Sequence, residues 1–127
     1  MLIPDMIRSY CRLVRKHAAE NYSPLVRKAV LLIEADLTRD LSLSAIASVL
    51  SISPGYLSGL FHRETGKTLT EFVIERRLEQ GARLLRGGSQ QIQTVAQYCG
   101  IPDVNYFTKL FKKHYGVTPR EYRKSGQ

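Results

Sequence analysis

The chain has 127 residues, 43% of them apolar, enough for one domain or for two very small ones sharing a linker. Its 19 Lys and Arg outnumber 11 Asp and Glu, giving a net charge of +8 and a pI near 9.8, a balance that points toward a polyanion such as nucleic acid or an acidic membrane surface. Two distant cysteines, Cys11 and Cys99, suit neither a disulfide framework nor a zinc site, and no apolar run resembles a signal peptide or a membrane span, so a soluble protein of a reducing cytoplasm is expected.

Residues 3–18 place Ile3, Ile7, Tyr10 and Val14 at alternating four- and three-residue spacing with Arg8, Arg12, Arg15 and Lys16 between them, which predicts an amphipathic helix. Ser23-Pro24 reads as an N-cap followed by a first helical position, opening a helix through Leu25, Ala29, Val30, Ile33 and Leu37. The elements then shorten: a helix near 44–50, a turn at 51–53, and a helix opened by Pro54 and closed by Gly66. A longer amphipathic helix over 68–86 follows, stopped by Gly87-Gly88 and about 28 Å long at roughly 1.5 Å per residue. A helix near 90–98, a turn at 100–102 and a helix from Asp103 to Tyr115 closed by Gly116 complete the plan, with Pro119 at the first position of a last helical segment. No pattern predicts strands; the fold class is all-α, homeodomain-like, with about seven helices including the N-terminal one.

The later elements repeat the earlier ones. Residues 56–73, YLSGLFHRETGKTLTEFV, recur fifty residues on as 106–123, YFTKLFKKHYGVTPREYR, with identity at 56/106, 60/110, 61/111, 66/116, 68/118 and 71/121. Both copies carry Thr-x-x-Glu, at Thr68/Glu71 and Thr118/Glu121, where the hydroxyl caps the third helical amide and the carboxylate reaches back to the capping residue. Each copy also supplies what a helix-turn-helix requires: a small residue at the crossing (Ala47, Ala96), a tight turn, and an apolar face on the second helix (Leu57, Leu60 and Phe61; Phe107, Leu110 and Phe111). The expected division is 1–21 for the N-terminal helix and interdomain linker, 22–67 for the first helix-turn-helix subdomain, 68–88 for the linker helix, and 89–127 for the second subdomain.

The outward positions of the second unit are Val104, Asn105, Thr108, Lys109, Lys112 and Lys113. Asn bonds an adenine edge in two places, Lys reaches guanine O6 and N7, and Val touches a thymine methyl, the contacts that base reading in a major groove demands. Lys112, Lys113, Arg120 and Arg123 suit phosphate better. The first unit presents Gly55, Ser58, Gly59, His62 and Arg63 instead. Glycines offer no hydrogen-bonding side chain but let a helix approach the duplex closely, so weaker base readout is expected there, with Arg63 and His62 on phosphate; His62 reads equally well as an ordinary surface histidine. The 28 Å helix is comparable to the roughly 34 Å repeat of B-DNA, so the two reading helices are spaced to enter successive major grooves on one face.

Residues 22–124 resemble the DNA-binding domain of the AraC/XylS family of bacterial transcription regulators, most specifically in GIPDVNYFTKLFKKHYGVTPREYR at 100–123 and in SPGYLSGLFHRETGKTLTEFVIERRLEQGARLL at 53–85. The resemblance implies two helix-turn-helix units joined by a linker helix, binding an asymmetric double-stranded promoter site, with RNA polymerase as a further candidate partner. It places base reading on Gly55, Ser58 and Gly59 and on Val104, Asn105, Thr108 and Lys109. Larger polar or aromatic side chains are common at the first set, where this chain departs from the pattern. Family members mostly carry an effector or dimerisation domain on the N-terminal side; here some twenty residues precede the match, so that domain is expected to be absent from this chain. The chain is then a stand-alone DNA-binding type or a fragment of a longer regulator, and the apolar stripe of its N-terminal helix favours the fragment.

No polar cluster suits catalysis: His17, His62 and His114 are scattered, and Gly87-Gly88 lacks a phosphate-cradling context. No enzyme activity, cofactor or metal is expected, and Cys99 reads as a small buried thiol. The competing expectation is a helical protein-interaction module with a basic surface.

Overall fold

The computed structural model describes residues 21–125; the helix expected over 3–18 lies outside them. Seven helices occur among the described residues, and no strand: α1 (Pro24–Ala35), α2 (Leu43–Val49), α3 (Pro54–Thr65), α4 (Leu69–Gly87), α5 (Ile92–Tyr98), α6 (Val104–Tyr115) and α7 (Pro119–Ser125).

Short oxygen-bearing side chains set most of the starts. Ser23, Ser42, Ser53 and Thr68 accept from the amides of Val26, Ala45, Tyr56 and Glu71 at 3.4, 3.2, 3.1 and 3.1 Å, each satisfying one of the donors that a helix N-terminus leaves unpaired. Asp103 accepts from both Asn105 and Tyr106 at 3.0 and 3.2 Å, so it caps α6 rather than opening it. Helix α5 starts without a side-chain cap, two residues later than the periodicity predicts. Helices α3 and α6 both stop at a glycine in the left-handed region, Gly66 at φ 78° and Gly116 at φ 82°, as the sequence predicts. The two Thr-x-x-Glu motifs differ. In the second, the Thr118 amide donates to Glu121 at 2.9 Å and the Glu121 amide to Thr118 Oγ1 at 3.2 Å, a closed reciprocal box. In the first, the Thr68 hydroxyl donates to the Glu71 carboxylate at 3.1 Å, so that carboxylate is drawn to the hydroxyl instead of the capping amide.

Helices α2 and α3 lie 100° apart, within the range of a helix-turn-helix. At the crossing Ala47 is fully buried, and so is Ala96 in the second unit. The turns are built alike, with Ile52 donating to the Ala47 carbonyl at 3.1 Å and Ile101 to that of Ala96 at 2.9 Å. Each contains one left-handed residue, Ser51 at φ 58° and Gly100 at φ 92°. The second turn is one residue longer, because Pro102 separates Ile101 from the cap Asp103, whereas Ile52 adjoins its cap Ser53 directly.

Burial divides into two cores, and α4 serves both. Its first half sends Leu69, Phe72 and Val73 into a cluster with Val26, Ala29, Ile33, Ile46, Leu57 and Phe61. Its second half sends Leu78, Ala82 and Leu85 into a cluster with Val95, Ala96, Cys99, Phe107 and Phe111. Phe61 meets Phe72 edge to face at 5.2 Å between centroids, and Phe111 meets Tyr122 of α7 the same way at 5.3 Å, a geometry that aromatic quadrupoles favour. Because Phe61 is fully buried in the first core alone, Phe61→Ala is expected to cost about 3–5 kcal/mol in denaturant unfolding. In native-state hydrogen exchange the loss of protection should be larger in α1–α3 than in α5–α7; equal loss throughout would show that the cores unfold as one.

Candidate nucleic-acid interface

Helix α6 turns one face inward and the opposite face to solvent. Phe107 and Phe111 are fully buried, which by helical periodicity puts Asn105, Lys109, Lys112 and Lys113 on the exposed side, with Val104 and Thr108 partly buried at its edges. The side chains of Asn105, Lys109 and Lys113 take no hydrogen bond or ion pair from the described residues. On α3 the same arithmetic buries Leu57 and Phe61 and exposes Gly55, Ser58, Gly59, His62 and Arg63. All of the expected base-reading positions therefore lie on two helices anchored by buried aromatic rings. Asp103, by capping α6, also holds the first turn that carries Asn105.

The cations sort into two groups. Several serve the fold: Lys67 pairs with Glu75, and Arg76 pairs with Glu34 at 3.3 Å and Glu79 at 3.0 Å while lying over the Phe72 ring at 4.3 Å. Arg77 is half-buried and spans to the α1–α2 loop. Arg63, Lys109, Lys113 and Arg120 are exposed without such partners among the described residues. Lys112 lies near Glu121, whose carboxyl is held below its usual range chiefly by the amide and hydroxyl of Thr118, with a smaller contribution from Lys112.

Arg123, expected on phosphate, also has an attachment within the chain. Its Nε donates to the Leu85 carbonyl at 3.3 Å and its Nη2 is buried without a partner. Leu85 stands in the last turn of α4, where carbonyls lack intrahelical donors, so Arg123 ties α7 to the end of α4. Cys99 is fully buried, and desolvation pushes its thiol up to about 11, which keeps it protonated and unreactive near neutrality. Among the described residues no cluster of three metal-binding side chains occurs, and no single helix is long and apolar enough to cross a membrane.

Two residues join the candidate surface that sequence reading left out. Tyr56 and Tyr106, identical in the repeat, are 56% and 50% exposed, and a tyrosine hydroxyl is a suitable phosphate donor. The signal was available: an aromatic residue kept in both copies yet adjacent to, not on, each buried stripe.

Gly55 and Gly59 are not required by internal packing, since a Cβ at either would meet nothing within 4 Å. Glycine inside a helix costs about 1 kcal/mol relative to alanine, so Gly59→Ala is expected to stabilise the free protein by about 0.5–1 kcal/mol. Gly66→Ala, at φ 78°, is expected to destabilise it by about 1–2 kcal/mol. Thermal unfolding of the two variants should move in opposite directions; a fall in Tm for Gly59→Ala would mean that the glycine is needed by the fold itself.

Comparison with known proteins agrees with this architecture. A helix-turn-helix domain family matches residues 46–125. The chain is 39% identical over 88 residues to YijO, an uncharacterised HTH-type transcriptional regulator of Escherichia coli, covering 69% of this chain and 30% of that protein. The C-terminal domain of AraT, a response regulator from Geobacillus stearothermophilus, superposes with a TM-score of 0.81 at 34% identity, over 83% of this chain and 88% of that one. A transcriptional regulator with an AraC-type DNA-binding domain from Chromobacterium violaceum gives 0.75 at 30% identity, over 81% and 92%. The chain spans about a third of the length of the curated relatives it matches.

Proposed function

The chain belongs to the AraC/XylS family of helix-turn-helix regulators, and from that premise we propose that it binds a specific site on double-stranded promoter DNA and regulates transcription there, with α3 and α6 in successive major grooves. The observation that carries this reading is the outer face of α6, where Asn105, Lys109 and Lys113 stand exposed and uncommitted opposite two fully buried phenylalanines. A merely solvated face would tolerate ion pairing with its neighbours, as Arg76 and Lys67 show. Val104, Asn105, Thr108 and Lys109 read bases; Lys112, Lys113 and Arg120 hold phosphates, aided by Tyr106. In the first unit Ser58 reads while Gly55 and Gly59 bring α3 close to the duplex, with His62, Arg63 and Tyr56 on the backbone. This makes the first unit the less selective of the two. The role is recognition and not catalysis, exercised in the cytoplasm on nucleoid DNA.

A protein contact has separate support. Leu31 and Val49 are 61% and 59% exposed and border, with Leu25, Leu32, Leu50 and Lys28, a shallow hollow on α1 and α2. An apolar patch of this kind suits a protein partner, and RNA polymerase at the same promoter is the partner that the regulatory reading supplies.

Selection of bound duplexes from a random pool tests the DNA reading. Lys109→Ala is expected to weaken the selected site by about 1–3 kcal/mol and to relax preference at one position. Lys113→Ala is expected to weaken all sequences alike and to lower the salt slope by about 1. If neither change alters binding to selected duplexes, the assignment of α6 to a groove is wrong.

A further inference from the structure

The separation and rotation of α3 and α6 depend on whatever crosses the seam between the two units. On α4 that seam falls between Val73, the last buried residue of the first core, and Leu78, the first buried residue of the second, with half-buried Ile74 already packed against the second. Arg77 stands there. Its Nε donates to the Leu37 carbonyl at 3.0 Å and its Nη2 to the Arg39 carbonyl at 2.9 Å, both in the α1–α2 loop of the first unit and about forty residues away in sequence. That loop is rooted in the first core through Leu41.

The second unit closes on the same point. Gly100, in the turn between α5 and α6, lies so close that a Cβ there would sit 2.0 Å from the Leu37 carbonyl oxygen and 2.8 Å from Arg77 Nε. The first turn uses Ser51 at φ 58° where the second uses Gly100 at φ 92°, a backbone that already favours glycine. At Gly100 the carbonyl of the other unit excludes a side chain as well. The cleft at this junction is lined by Asp40, Arg77, Gly100, Asp103 and Tyr106 among others, and Asp103 and Tyr106 lead directly into α6.

We propose that Arg77 is a positioning residue: by tying down the Leu37 and Arg39 carbonyls, the first of them against Gly100, it fixes the register between α3 and α6, so that the protein accepts one spacing of its two half-sites. The proposal rests on the two-groove reading above. A guanidinium is suited to the task because its planar fork presents donors at fixed, separated positions, whereas a lysine ammonium offers them from a single atom on a flexible stem.

The experiment uses the whole chain and the duplex it selects, with one base pair inserted or deleted between the segments contacted by the two units. Each such step moves a half-site by about 3.4 Å and roughly 34°, and the protein is expected to lose roughly tenfold or more in affinity. Arg77→Gln is expected to weaken the selected site and to shrink that spacing penalty to about threefold or less, while Lys113→Ala weakens binding and keeps the full penalty. Spin labels at Ser58 and Lys112 in the free protein should show a distance distribution that broadens in Arg77→Gln. If Arg77→Gln does not fold, Arg77→Lys, which keeps the charge and the stem, replaces it, with an intermediate penalty expected. A folded Arg77 variant that keeps the full penalty and a narrow distribution overturns the proposal, as does a protein indifferent to spacing. Absence of any selected duplex overturns the DNA reading itself and is distinguishable from both.

Discussion

One helix with one apolar face has to satisfy two cores. Leu69, Phe72 and Val73 commit the first half of α4 to the α1–α3 cluster, and Leu78, Ala82 and Leu85 commit the second half to the α5–α7 cluster. Because an α-helix is stiff over about 28 Å, this division sets how far apart the units stand, and the exposed faces of α3 and α6 follow from it. The strongest helix–helix packing lies within one unit or involves α4; the α1–α2 loop against Gly100 adds a direct contact between the units.

The duplication preserves the parts that make each unit fold and releases the parts that face outward. Both copies keep the buried alanine at the crossing, the phenylalanine at 61/111, and the left-handed glycine that ends the second helix. These are costly to change because each occupies a packed or conformationally restricted position. The outer faces carry no such obligation: Gly55, Ser58 and Gly59 occupy one and Asn105, Thr108 and Lys109 the other. Even the turns have diverged, since Pro102 lengthens the second and a neighbouring carbonyl excludes any side chain at Gly100 but not at Ser51.

The excess of positive charge is also unequal in use. Arg76, Arg77 and Arg123 reach back to carboxylates or carbonyls of other elements, so part of the basic composition is structural. Arg63, Lys109, Lys113 and Arg120 have no such attachment among the described residues and remain available for an anionic partner. Net charge gave the direction of that reading, but only the location of the unpaired cations gives it an address.

Features that depend on neighbours a few residues away were legible in the chain itself. Serine, threonine and aspartate caps, the glycine stops, the amphipathic stripes and the repeat all act through contacts within three or four positions, where spacing predicts geometry directly. For the same reason the outward faces of α3 and α6 could be named in advance. What the chain could not disclose were contacts between residues about forty positions apart: Arg77 on Leu37 and Arg39, Arg123 on Leu85, Arg76 on Glu34. An arginine looks the same in sequence whether it is bound for a phosphate or for a carbonyl of its own chain. The packing of α4 against two cores decides between them, because it alone determines which distant backbone groups come within reach.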